Sequence, residues 1–193
     1  PLAGGTALQA IVDEARLRAG QRILITGAAG GVGHFAVQIA KHAGAHVVAV
    51  CSGANAEFVR TLGADEVIDY ARDDFTRRDE RFDVVFDAAS ASSFAAARGV
   101  LALDGIYVNT GGDAASVART AVGAMLARVD SRQRAVALVL SGNSARWERL
   151  AALARDAVLR AHLERSIALE EVADAQRAME SGHGRGKIVV RLM

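Results

Sequence analysis

The sequence predicts an α/β fold, a doubly wound parallel sheet with helices on both faces. Three observations carry this. Short apolar runs without polar alternation recur along the chain, as strands buried on both faces require. Segments of helical spacing separate those runs, so successive strands need crossover connections and lie parallel. Glycine is used 19 times and proline once, at position 1, so turns fall to Gly, Asp, Asn and Ser and no helix interior is broken by proline.

The elements follow in order. Thr6 to Ala19 reads as a helix, with Thr6 as N-cap, Leu8, Ile11, Val12 and Ala15 near one face, and Gly20 as the stop. Arg22 to Thr26 is a first buried strand, and the glycine cluster Gly27 to Gly33 follows it. A helix then runs from about Gly31 to Ala43, closed by Gly44, and His46 to Val50 is a second strand. Ala54 to Leu62 is helical and Gly63 ends it; Glu66 to Asp69 is a short third strand. Phe82 to Phe86 is a fourth strand, Ser90 to Val100 a helix and Gly105 to Asn109 a fifth strand. Ala135 to Leu140 is a sixth apolar run and Ser144 to Leu159 a long amphipathic helix. The tail holds a strand at Leu163 to Ala168, a helix at Glu170 to Glu180 and a last strand at Lys187 to Leu192. That last strand has no evident place in the rhythm and reads as orphaned. The expected division is a dinucleotide-binding domain over 1–160 and a returning segment over 161–193.

Composition narrows the function classes. With 193 residues, 51% hydrophobic and 23% charged, the chain is globular and about one domain long. The net charge is +1 with both signs interspersed, so no basic stripe serves nucleic acid or an acidic membrane. One cysteine, Cys51, excludes an intrachain disulfide framework and a cysteine-rich zinc site. No uninterrupted apolar run reaches the ~18 residues of a membrane span. No signal peptide is seen, and the expected compartment is the cytoplasm.

The most informative stretch is Ile23-Leu24-Ile25-Thr26-Gly27-Ala28-Ala29-Gly30-Gly31-Val32-Gly33. A strand enters a glycine turn that opens a helix. Glycines let the backbone approach a pyrophosphate, and the helix start offers free N–H groups and a positive dipole end. The full G-x-G-x-x-G is absent, since Ala28 stands at the first glycine position. The strand–turn–helix context nevertheless indicates a Rossmann-type dinucleotide site. An NAD-preferring site carries an acid at the end of the second strand for the ribose hydroxyls. Here that strand ends Ala49-Val50-Cys51-Ser52-Gly53, without an acid. Ser52 and Asn55 can hydrogen-bond a 2′-phosphate, so the expected cofactor is NADPH; the competing role for Ser52 is an N-cap.

Thr26-Gly27-x-x-x-Gly31-Val32-Gly33 also fits the short-chain dehydrogenase loop. That family needs a Tyr-x-x-x-Lys pair, whereas the residues four after Tyr70 and Tyr107 are Asp74 and Gly111. Another pattern matches better: Ala28 to Gly33 with Val37-Gln38-Ile39-Ala40-Lys41, then Leu62-Gly63-Ala64-Asp65-Glu66-Val67-Ile68-Asp69-Tyr70 and Phe82-Asp83-Val84-Val85-Phe86-Asp87. It ends in Ala178-Met179-Glu180-Ser181-Gly182-His183-Gly184-Arg185-Gly186-Lys187-Ile188-Val189-Val190. Together these resemble the zinc-free, quinone oxidoreductase-like branch of the medium-chain dehydrogenase/reductase superfamily, over essentially the whole chain.

The resemblance implies that Ala29, Gly30, Gly31 and Val32 hold the pyrophosphate. It implies that Ser52 and Asn55 lie at the 2′-phosphate, Tyr70 beside the adenosine phosphate, and Thr110, Gly111 and Gly112 at the nicotinamide end. It also implies an N-terminal catalytic domain ahead of this stretch, with which the last strand would pair, so the chain is expected to be the cofactor half of an enzyme, inactive alone. Relatives commonly dimerise through edge strands, and the run 135–140 suits a homodimer. No residue is a convincing proton donor, so no catalytic residue is named. His34 reads as a supporting or surface residue, His183 as exposed, and His42, His46 and His162 lack metal-ligand spacing. Lys187 reads as structural, and Arg60, Arg72 and Arg77 as a solvated face. No metal is expected. The function implied is hydride transfer from NADPH to quinones or activated C=C bonds (enones, enoyl thioesters). The alternative is a non-catalytic nucleotide-binding module or redox sensor.

Overall fold

A computed structural model describes residues 1–110, 132–180 and 184–192, with five isolated positions (115, 118, 120, 122 and 123) between them. Six strands form one parallel sheet: β1 (Arg22–Thr26), β2 (His46–Cys51), β3 (Glu66–Asp69), β4 (Phe82–Asp87), β5 (Leu101–Asn109) and β6 (Arg134–Ala137). Their order is β3-β2-β1-β4-β5-β6, and every pairing is parallel. The chain winds outward from β1 on one side, returns, and winds outward from β4 on the other. This is the doubly wound Rossmann arrangement, and the reversal between β1 and β4 opens a crevice at the carboxyl ends of the strands.

The strands lack alternation because both faces are covered. Ile23, Ile25, Val47, Ala49, Val84 and Phe86 face one layer, with Leu8, Ile11 and Val37 packed on them. Leu24, Val48, Val50, Val85 and Tyr107 face the other, under Phe94, Ala97 and Val100. The α-helices with defined bounds among the described residues are α1 (Leu2–Leu8), α2 (Gly33–His42), α3 (Ala56–Thr61), α4 (Phe94–Ala97), α5 (Ser144–Arg155) and α6 (Val172–Glu180). No helix of the described residues is long and apolar enough to cross a membrane.

Four expectations about the elements need correction. The first helix starts at Leu2 and continues as a π-type segment over Gln9–Glu14, so Thr6 lies inside it and Gly20 does not end it. Gly4 and Gly5 concealed its start. Glycine is needed there because α5 packs close against the helix: a Cβ on Gly4 would meet Leu150 at 3.0 Å, and one on Gly5 would overlap the Trp147 ring. The helix expected from Ser90 shrinks to Phe94–Ala97 with one 3-10 turn, Arg98–Val100. The Asp87 carboxylate takes the N–H groups of Ala91 and Ser92 at 3.0 and 2.9 Å, and Ser93 becomes the N-cap. The last strand is not orphaned. β8 (Lys187–Val190) pairs in parallel with β7 (Leu163–Ile167) as a separate two-stranded sheet. The sixth apolar run is a strand only over Arg134–Ala137.

Candidate functional site

At the switch between β1 and β4 lies a cleft of about 230 Å3. Ala29, Gly30, Gly31 and Val32 line it from the β1 turn, Ser52 and Asn55 from the end of β2, and Tyr70 from the end of β3. Gly27, Cys51, Ala88, Ala89 and Gly184 complete the wall. Seven of the ten expected site residues therefore meet in one crevice. Thr110 follows β5, its hydroxyl 3.5 Å from the Ala88 carbonyl, adjacent to that wall but not in it. Gly111 and Gly112 lie outside the described residues, as does His183.

The turn is built to leave its rim bare. Gly33 opens α2 with its Cα against the Gly27 carbonyl and Ala28, where a Cβ would stand 2.7 Å from the Ala28 Cα. Gly31 faces the cleft, and a Cβ there would meet the Lys187 ammonium at 2.5 Å. The bare backbone at Gly30 and Gly31, beside the first turn of α2, is the cradle a phosphate-bearing ligand needs, and these residues fit a dinucleotide.

His34 is fully buried beneath this turn and is not a surface residue. Its Nδ1–H donates to the Gly30 carbonyl at 2.8 Å, since that oxygen can only accept. Nε2 is then left as an acceptor without a partner among the described residues. Burial pushes the imidazole below its ordinary pKa, and the nearby Lys187 and His162 push the same way. A neutral ring thus braces the loop from below. Cys51 is an unreactive wall residue, its thiol pushed up to about 11 by burial and by Asp69.

Two cations missed by sequence reasoning come from the tail to residues that line the cleft. The Gly186 N–H donates to the Ala29 carbonyl at 2.8 Å, laying residues 184–187 across the glycine turn. Lys187 thereby projects over Gly31. Burial lowers its pKa. Its backbone N–H donates to the His162 carbonyl at 2.9 Å, while its ammonium has no hydrogen-bond or ion-pair partner among the described residues. Arg185 donates from Nε to the Asn55 carboxamide and from Nη2 to the Ala54 carbonyl, the latter at 2.7 Å. Asn55 is consequently only 5% exposed. Ser52 makes no side-chain cap bond. Arg60 and Arg72 are tied to Glu57 and Asp69 on the surface. Among the described residues no group of three His, Cys, Asp or Glu could hold a metal. A larger hollow of about 630 Å3 lies at Leu169 and Leu192, on the tail and away from the glycine turn.

Comparison with known proteins agrees with this geometry. A family described as zinc-binding dehydrogenase matches residues 62–190. A mitochondrial NAD(P)H oxidoreductase of Mus musculus, RTN4IP1, is 34% identical over 90% of this chain and 48% of its own length. The quinone oxidoreductase structure from Coxiella burnetii superposes with a TM-score of 0.86 at 30% identity, covering 100% of this chain and 59% of that one. The CurK enoyl reductase structure gives 0.82 at 26% identity, covering 100% and 61%. The chain spans 48% of the length of that mitochondrial oxidoreductase and 60% of a chloroplast envelope quinone oxidoreductase homologue of Arabidopsis thaliana. With its strand order, glycine turn and matched sequence taken together, the chain belongs to the medium-chain dehydrogenase/reductase superfamily.

Proposed function

We propose that this chain is the NADPH-binding part of a zinc-independent oxidoreductase that reduces quinones or activated C=C bonds. The observation that carries the reading is the cleft itself, in which residues from the ends of β1, β2 and β3 surround a bare glycine cradle. The names of the relatives, an NAD(P)H oxidoreductase, a quinone oxidoreductase and an enoyl reductase, support the reaction class. The bound nicotinamide would supply the hydride.

The chain's own residues bind and orient. The backbone of Ala29, Gly30, Gly31 and Val32, with the first turn of α2, receives the pyrophosphate, and the ammonium of Lys187 offsets its charge. Ser52, Asn55 and Tyr70 frame the adenosine end. Thr110, with Gly111 and Gly112, borders the nicotinamide end. The tail from 161 onward leads toward the catalytic domain that would complete the substrate pocket.

Calorimetric titration of the 193-residue chain with NADPH and with NADH tests this. Tight NADPH binding with NADH weaker by at least about 10-fold, some 1.4 kcal/mol, is expected. Binding of neither overturns the reading.

The same proposal includes a homodimer. β6 ends the six-stranded sheet, and beyond it Val139 is 75% exposed. An apolar sheet edge of this kind invites pairing with a second copy. Light scattering should return twice the chain mass of 20.1 kDa, and a monomer at micromolar concentration refutes it.

A further inference from the structure

We propose that Arg185 is the cation that selects a 2′-phosphate, delivered to the adenosine end of the cleft by the C-terminal strap. The inference rests on the reading of the cleft as an NADPH site. The turn after β2, where a doubly wound sheet places the adenosine ribose, carries no cation of its own: it runs Ser52-Gly53-Ala54-Asn55-Ala56. The nearest basic residue on the following helix, Arg60, is paired with Glu57.

Arg185 fills that gap from 130 residues away. Its Nε–H donates to Asn55 Oδ1 and Nη2–H to the Ala54 carbonyl. Its own backbone N–H donates to Glu164 Oε2 at 3.1 Å. These bonds clamp the guanidinium against the turn and leave Nη1 without a partner among the described residues. A guanidinium carries five donors in a planar fork suited to phosphate oxygens, and only two are spent here.

No carboxylate among the described residues forms an ion pair with the guanidinium, although Glu164 lines the same hollow. Glu164 bonds the Arg185 backbone and forms no ion pair with the guanidinium. Asp69, behind Gly53, is turned to the Ala71 N–H and to Arg72. Arg185, Ser52 and Asn55 border a common hollow of about 420 Å3 that opens between the turn and β7. Ser52, whose side chain makes no cap bond, lines the same hollow and can offer a hydroxyl donor there. An oriented cation with no ion-pair partner among the described residues and a hydroxyl beside it suits a dianion. In this arrangement Asn55 is the anchor that aims Arg185.

The test is a pair of titrations, NADPH and NADH, on the 193-residue chain and on its Arg185→Gln and Arg185→Lys variants. Arg185→Gln should weaken NADPH about 10- to 50-fold, the value of charge-assisted hydrogen bonds to one phosphate. It should leave NADH within about twofold, because NADH lacks the 2′-phosphate. Arg185→Lys should recover part of the loss. Unchanged NADPH affinity in Arg185→Gln overturns the assignment while leaving the NADPH reading intact. Equal losses for both cofactors also overturn it, because they report a merely structural role for the Asn55 contact. A parent chain that binds neither cofactor, or prefers NADH, overturns both the inference and the reading beneath it.

Discussion

Gly31→Leu should abolish measurable NADPH binding, with Kd raised at least about 100-fold, or some 2.7 kcal/mol, in a chain that still folds. The two halves of this expectation have separate causes. The fold survives because Gly31 has no left-handed backbone requirement and its nearest neighbour is the flexible end of Lys187, which can swing away. Binding fails because the new side chain projects from the rim of the cleft where the backbone must approach a pyrophosphate. It also evicts Lys187 from its place over the turn. Gly33 could not serve for this test. A Cβ there runs into the backbone of Gly27 and Ala28, which cannot yield, so a substitution would break the turn and lose binding through misfolding. Calorimetry beside a thermal melt separates the cases, and unchanged affinity in a folded Gly31→Leu chain would sink the assignment of the loop.

What was legible in the sequence follows the range over which each feature is encoded. The bounds read for β1, Arg22–Thr26, and β3, Glu66–Asp69, are those of the structure, because short apolar runs between turn residues encode themselves. The glycine cradle was legible for the same reason: strand, turn and helix start are contiguous. Features that depend on a distant partner were not legible. Gly4 and Gly5 look like helix breakers until Leu150 and Trp147 of α5 are placed against them. The partner of β8 is β7, and a two-stranded parallel pair separate from the main sheet leaves no rhythm to read. Arg185 and Asn55 carry no mutual signal in a list of residues. The Gly186–Ala29 hydrogen bond, which drapes the strap over the glycine turn, and the bonds of Lys187 and Arg185 to His162 and Glu164 bring them together. A faint signal did exist. A Gly-x-Gly-x-Gly-x run with two cations, Gly182 to Lys187, is a loop that can lie flat against backbone.

Asp87→Ala should destabilise the chain by about 3–5 kcal/mol in urea unfolding, the largest loss expected from one buried polar group here. Asp87 ends β4 and is fully buried. Its carboxylate accepts from Thr26 Oγ1 at 2.5 Å on β1, from the Tyr107 hydroxyl at 2.7 Å on β5, and from the N–H groups of Ala91 and Ser92. It therefore ties three adjacent strands to the loop that follows β4. Alanine removes this acceptor from all four donors at once, and a buried donor left without its bond costs more than the bond contributes. Against a typical total of about 5–15 kcal/mol, such a loss is a large share of the fold. Asp87→Asn distinguishes bond loss from cavity formation. It keeps the volume but offers one carboxamide oxygen, and its NH2 confronts groups that themselves donate. It should fall between parent and Asp87→Ala. The site should feel the change as well, since Ala88 and Ala89, immediately beyond, form one wall of the cleft. Both variants should bind NADPH more weakly in proportion to how far that loop is released. Unfolding free energies within about 0.5 kcal/mol of the parent, the range of ordinary surface substitutions, would show that the network does not hold the crevice together.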